Sequence, residues 1–336
     1  MTRAPVPDPV PAGAPVDEAL DRAARAIAAA PQVVLVCHVN PDGDALGSML
    51  ALHHVLRAAG RDPVASFPEP FVVAPHYREL PGLDLLVPPQ RVPAEPALVV
   101  TFDSGSLGRL GDLAANAKAA AELVVVDHHL SNERYGTINV IDADAAASGV
   151  LVRRLIDRLG LPLERDAAVC LFAALVCDTG RFQYECTTPE VFELAAELAR
   201  FGLPIPRLCR TLFEEHRYAY LQLLADALAS SVLVPERGLV WTKVTQADLA
   251  RHGVTFEEVE GLIDVLRRTR EADVACVLKE AADGTWRVSL RSVGDTDVSR
   301  IARGQGGGGH RFAAGFTSDE PAEVIVAAIE AALSRP

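Results

Sequence analysis

Hydrophobic positions in this chain fall into short unbroken runs that alternate with longer stretches of helical spacing. "QVVLVCH", "ALVVTFD" ending at Asp103 and "AELVVVDHH" ending at His129 are continuous apolar runs. Such runs predict strands buried on both faces, as in a parallel sheet covered by helices. Around them, "VDEALDRAARAIAAA" from Val16 and "ALGSMLALHHVLRAAG", closed by Gly60, predict helices, and "DPVASF" predicts a further strand.

Beyond "TINVIDADAAASG" the pattern turns helical: "GVLVRRLIDRLG", "ERDAAVCLFAALVCDTG" and "TTPEVFELAAELARFG", the last with Thr188 as N-cap and Pro189 at the first helical position. "IPRLCRTLFEE" and "RYAYLQLLADALAS" read as a connector. From about Ser231 strands return in "SVLVPERGLVWTKV" and in "ADVACVLKEAADGTWRVSLRS", a hairpin around Asp283-Gly284. "VSRIARGQGGGGHRFAAGF" and an amphipathic helix end the chain. The expected fold is α/β: a parallel-sheet domain over residues 16–198, a helical connector over 199–230 and a smaller α/β domain over 231–336. A length of 336 residues suits two separate cores.

Composition narrows the partners. Lys and Arg number 32 against 45 Asp and Glu, a net charge of −13, which excludes a protein that coats long nucleic acid by neutralising phosphates. A small anionic substrate remains open, because bound cations reverse the local field. Six cysteines without C-x-x-C spacing predict buried reduced thiols and a cytoplasmic protein. Residues 1–15, rich in Pro and Ala, have no signal-peptide pattern and predict a disordered tail, and no run of eighteen apolar residues suggests a membrane span.

Candidate chemistry gathers where the apolar runs stop. Ligand sites of parallel sheets lie at the carboxyl ends of the strands, and here three runs end in Asp or His: "VCHVNPDGD", "VTFDSG" and "VVDHH". A tight Pro-Asp-Gly turn can aim His38, Asp42 and Asp44 into one pocket, although solvated turn aspartates would read the same way. Adding Asp103 and Asp127–His129 makes solvation the poorer reading, because neighbouring acids at strand ends need a cation to offset their repulsion. Carboxylates with imidazole suit Mn²⁺ first, with Mg²⁺ or Fe²⁺ next, over a structural zinc. Two such ions about 3.5–4 Å apart, bridged by one carboxylate, form a hydrolytic site. Asp178, closing the apolar helix in "LVCDTGRF", is a further candidate.

"HVNPDGDALGS", "FDSG", "VDHH" and "CDTGRF", in this order, resemble the four motifs of the DHH phosphoesterase family. "VSLRS" and "GGGGHRFAAGF" resemble the DHH-associated domain, so the resemblance runs from about residue 16 to the end and is greatest to the NrnA-type branch. It implies one metal ion held by His38, Asp42 and Asp103, and a second by Asp44, Asp103, His128 and Asp178, with Asp103 bridging. Asp127 would orient the His128 ring, and His129 would touch the scissile phosphate. Arg291, Ser292, Gly307, Gly308, Gly309 and His310 would bind substrate, the glycines by converging backbone N–H groups on an anion.

The implied activity is hydrolysis of short oligoribonucleotides to mononucleotides and of adenosine 3′,5′-bisphosphate to AMP, by a homodimer. Cyclic di-AMP or its linear product is an alternative substrate, and a non-catalytic nucleotide sensor a remote one. An inorganic pyrophosphatase lacks the "GGGGH" domain, and a RecJ-type processive exonuclease needs a longer chain.

Overall fold

The computed structural model describes residues 16–333, so the expected tail over 1–15 lies outside the described residues. The chain divides into two compact units, one comprising the chain up to Val73 with Tyr77–Thr211, the other Ala74–His76 with the chain from Leu212.

The first unit runs α1 (Val16–Ala29), β1 (Val34–Cys37), α2 (Gly43–Ala58), β2 (Val64–Ser66), β3 (Leu98–Phe102), α3 (Ala114–Ala119), β4 (Glu122–Asp127), β5 (Ile138–Ile141), α4 (Ser148–Leu159), α5 (Arg165–Asp178), α6 (Pro189–Ala199) and most of α7 (Ile205–Phe213). Its five strands are ordered β2-β1-β3-β4-β5, every neighbouring pair parallel. Both β1 and β3 are buried along their whole length, the reason their sequences read as unbroken apolar runs rather than alternating ones. Parallel pairing brings the carboxyl ends of β1, β3 and β4 to one edge of the sheet, side by side.

Helices α2 and α5 pack against each other at the distance small residues permit. A Cβ on Gly47 would lie 2.4 Å from the Cys170 carbonyl oxygen, and α4 approaches α5 as closely, a Cβ on its Gly149 lying 2.7 Å from the Ala174 Cβ. Thr188 is the N-cap residue of α6 and Pro189 its first residue, as the sequence predicts.

The second unit contains α8 (Tyr218–Ala229), β6 (Val232–Val234), β7 (Leu239–Val244), α9 (Gln246–His252), α10 (Leu262–Leu266), β8 (Val274–Glu280), β9 (Trp286–Ser292), α11 (Val298–Gly304), β10 (Gly308–His310), β11 (Ala313–Ser318) and α12 (Ala322–Leu333). Its sheet, ordered β10-β11-β9-β8-β7-β6, is antiparallel except between β7 and β8. Alternation along β8 splits its side chains: Val274, Cys276 and Leu278 join one apolar layer, Ala275 and Val277 the other. The β8–β9 turn uses Gly284 at φ +83°, as the Asp283-Gly284 pair predicts. All six cysteines are free thiols. Among the described residues no helix is long and apolar enough to cross a membrane.

Gly47→Ala forces a methyl onto buried backbone, and should destabilise the first unit by about 1–3 kcal/mol, the usual cost of overpacking. Urea denaturation of the variant beside wild type measures this; an unchanged midpoint would show that α5 yields freely.

Candidate metal centre

Four elements of the first unit deliver acids to the same sheet edge. Asp42 is the N-cap of α2: its Oδ1 accepts hydrogen bonds from the backbone N–H groups of Asp44 (3.1 Å) and Ala45 (3.0 Å). Its Oδ2 is thereby turned toward His38 Nε2, 3.7 Å away. Asp44, in the first turn of α2, is fully buried. Its carboxylate accepts from Ser48 Oγ (3.0 Å) and from the backbone N–H groups of Ser148 (2.6 Å) and Gly149 (2.9 Å), which open α4. Asp178 is the last residue of α5, followed by Gly180, Arg181 and Phe182, all at positive φ.

Asp103 follows β3 with φ +53°, a strained conformation for a non-glycine residue. Its Oδ2 lies 3.4 Å from His38 Nε2 and its Oδ1 3.4 Å from His128 Nε2. One carboxylate thus faces two imidazoles with different oxygens. His128 Nε2 also lies 3.0 Å from Asp178 Oδ2 and 3.6 Å from Asp44 Oδ2. Among the described residues three ligand clusters share Asp103, namely His38–Asp42–Asp103, Asp44–Asp103–His128 and Asp103–Asp127–His129, each with its donor atoms within 4.8 Å of one another, the first two meeting on its two oxygens.

The imidazole tautomers suit cations. His128 Nδ1–H donates to the Ala145 carbonyl (3.0 Å), which places the lone pair on Nε2 among the carboxylates. His38 Nδ1 lies 2.9 Å from the Val39 carbonyl, and the tautomer that donates there likewise presents its Nε2 lone pair to Asp42 and Asp103. Hard oxygens with two such nitrogens fit divalent ions of the Mn²⁺, Mg²⁺ or Fe²⁺ type.

Crowded carboxylates and burial set the electrostatics. Burial, then Asp103 and Asp178, push the Asp44 pKa well up. Burial also raises Asp178, to about 6, against the pull of His128. Burial and the Arg109 guanidinium oppose protonation of His38, yet Asp103 and Asp42 outweigh them and carry it up to about 9. For His128, burial is outweighed by Asp103 and Asp178, and its pKa is raised well. Asp103 is held well below the usual range: burial opposes this, but His128 and His38 prevail. Protons here stand where metal ions would.

The expected pairing of Asp127 with His128 needs correction. Asp127 Oδ1 accepts from His129 Nδ1 (2.7 Å) and Oδ2 from Asn132 Nδ2 (2.5 Å), while His128 is oriented by the Ala145 carbonyl. The reason is alternation: side chains two apart at a strand end fall on the same side, adjacent ones on opposite sides.

Alternation also separates Ser292 from Arg291. On β9 it is buried with Val288 and Leu290, its hydroxyl bonded to the Gly294 carbonyl, while Arg291 is half-buried on the opposite face, its Nη1 donating to the Leu290 carbonyl. Gly308, Gly309 and His310 form the edge strand β10, paired with Gly315, Ala314 and Ala313. Gly307 is glycine because a Cβ there would lie 2.2 Å from the Gly315 carbonyl oxygen.

Sequence reasoning missed Ser48, Ser148, Asn132 and Arg109. Arg109 Nη2 lies 2.9 Å from His38 Nδ1, and Ser148 Oγ donates to Asp103 Oδ1 (3.1 Å). Ser148 alone carried a local signal, a small hydroxyl residue just before a helical stretch.

Comparison with known proteins agrees with this frame. The DHH family, N-terminal domain, matches residues 32–175, and the DHHA1 domain matches residues 240–335. The chain is 31% identical over 310 residues to the bifunctional oligoribonuclease and PAP phosphatase NrnA of Thermus thermophilus, covering 90% of each chain. It is 28% identical over 314 residues to the NrnA of Bacillus subtilis, covering 91% of this chain and 96% of that one. An exopolyphosphatase-related protein from Bacteroides fragilis shares the fold, with TM-score 0.84 at 24% identity over 95% of this chain and 96% of that one. Strand-end acids on a parallel sheet, followed by a smaller mixed-sheet unit, define a class of metal-dependent phosphoester hydrolases. The chain belongs to the DHH family and carries the DHHA1 domain behind its N-terminal domain.

A metal ion taking the His38 Nε2 lone pair must displace a proton held up to a pKa of about 9, and at Asp178 one held to about 6. Affinity should therefore rise with pH. Between pH 6.5 and 8.5 the apparent Kd for Mn²⁺ should fall by about tenfold per unit for each proton displaced, with proton release seen by calorimetry in buffers of different ionisation enthalpy. A flat profile would mean that His38 is not a ligand.

Proposed function

We propose that this chain hydrolyses short oligoribonucleotides to mononucleotides and adenosine 3′,5′-bisphosphate to AMP, with two divalent ions, Mn²⁺ first. The observation that carries this reading is the Asp103 carboxylate, one oxygen toward His38 and the other toward His128. Identity of 31% to a named oligoribonuclease and PAP phosphatase over 90% of both chains supports the substrate class.

His38, Asp42 and Asp103 would hold one ion, and Asp44, Asp103, His128 and Asp178 the other. Bound there, divalent ions acidify water and offset charge on the transferring phosphoryl oxygens. Asp127 takes the Nδ1–H of His129, which assigns the ring's chemistry to Nε2: stabilising charge on the scissile phosphate or giving a proton to the leaving oxygen. Asn132 fixes Asp127 in turn. In the second unit Arg291 and His310 are the side chains suited to a terminal phosphate, with the edge strand of glycines beside His310 admitting a close approach. The protein acts in the cytoplasm as a homodimer, a state that analytical ultracentrifugation tests.

The deciding experiment compares rates with Mn²⁺ on di- to pentanucleotide RNA, adenosine 3′,5′-bisphosphate, cyclic di-AMP and pyrophosphate. Fastest turnover should fall on the shortest RNAs and the bisphosphate, and a clear preference for cyclic di-AMP would replace this reading. Asp103→Ala should lose more than about 99% of kcat, in the range of losses seen when a whole charge-stabilising element is removed. Retention of a tenth or more of wild-type activity would sink the two-ion scheme.

A further inference from the structure

Ser148 touches both acids at the heart of the site and has so far no role. It is fully buried at the first turn of α4. Its backbone N–H donates to Asp44 Oδ2 (2.6 Å) and its hydroxyl to Asp103 Oδ1 (3.1 Å). We propose that Ser148 is the positioning residue that divides the Asp103 carboxylate between the two metal positions; this rests on the two-ion reading above.

A carboxylate rotates easily about its last torsion, which is broad and two-fold. Asp103 can serve two ions only if that rotation is fixed, one oxygen toward His38 and the other toward His128. The Ser148 hydroxyl, with its single proton, fixes it by engaging Oδ1. Its own position is set from two sides. Gly149 N–H donates to Asp44 Oδ1 (2.9 Å), and the Gly149 Cα packs so close to Ala174 that a Cβ would lie 2.7 Å from that side chain. Helix α4 is therefore pressed between α5 and the acids, and a small hydroxyl residue at its start reaches Asp103 without adjustment. Ser148→Ala keeps the backbone N–H on Asp44 and removes only the contact to Asp103, which isolates the effect.

The test uses the full chain with Mn²⁺ alone, read by calorimetry and by electron paramagnetic resonance, in which two ions sharing a carboxylate give an exchange-coupled spectrum. Wild type should bind a coupled pair. Ser148→Ala should keep the wild-type circular dichroism, bind Mn²⁺ about 10–100-fold more weakly, as loss of an outer-shell partner does, and show isolated-ion signals in place of coupling. Its kcat should fall with KM little changed. Ser148→Cys, which keeps the shape but weakens the donor, should fall between, and serves if the alanine variant fails to fold. Ser48→Ala, which removes a hydroxyl from Asp44 and not from Asp103, should retain coupling. A Ser148→Ala protein that binds a coupled pair with affinity within about threefold of wild type overturns the proposal. A wild type that binds no coupled pair overturns the two-ion reading and the proposal with it.

Discussion

Four carboxylates, those of Asp42, Asp44, Asp103 and Asp178, are brought to one sheet edge, and their mutual repulsion is the constraint that the rest of the first unit answers. Burying one ionised carboxylate is costly, and burying Asp44 and Asp103 beside the half-exposed Asp42 and the partly buried Asp178 without countercharge is prohibitive. The answer is distributed. Asp42 and Asp44 are held by backbone N–H groups at the starts of α2 and α4, Asp103 and Asp178 by the His128 and His38 imidazoles. What those donors leave uncompensated appears as raised pKa values at Asp44 and Asp178 and as protons on His38 and His128. Divalent ions would complete the neutralisation.

The topology makes this arrangement possible. In a parallel sheet every strand ends on the same edge, and β1, β3 and β4 are neighbours, so His38, Asp103 and Asp127 arrive side by side from positions far apart in sequence. Helices α2 and α4 have their N-termini on that edge, so their positive ends face the acids, while α5 brings Asp178 there from its C-terminus. Asp44 exploits both N-termini, sitting in the first turn of α2 while accepting from the first turn of α4. An antiparallel sheet would send alternate strand ends to opposite edges and could not gather the same set.

Much of this was legible in the sequence, for a physical reason. Acids and histidines directly after unbroken apolar runs have few environments open to them, so His38, Asp103, Asp127 and His128 point to a common edge. The pairing that fails has a cause too. The motif sets Asp127 beside His128, whereas its carboxylate meets His129, because neighbours in a motif look like neighbours in space. Strand alternation separates them. The glycine run, expected to turn its N–H groups on an anion, also has a packing role, because side chains at Gly307 and Gly309 would collide with β11. Ser48 leaves no mark in the sequence because it acts on Asp44 one helical turn away, where a serine is ordinary, and the hydroxyl before α4 marks Ser148 as a helix start without showing that it reaches Asp103 across the fold.

The geometry also explains why strain is tolerated where it is. Asp103 at φ +53° and the Gly180–Phe182 turn behind Asp178 are conformations that cost of order 1–3 kcal/mol per non-glycine residue and persist only where the surroundings over-determine them. Here they are over-determined. Asp103 N–H is tied to the Val126 carbonyl and its side chain to Ser148, while the turn after Asp178 is closed by N–H groups of Arg181, Gln183 and Tyr184 onto carbonyls of Val176 and Thr179. The strained residues are the ones at which a relaxed backbone would point the carboxylate elsewhere. A strand that ended without the left-handed turn at Asp103 would continue its alternation, and the shared carboxylate would leave the position between His38 and His128 on which both clusters depend.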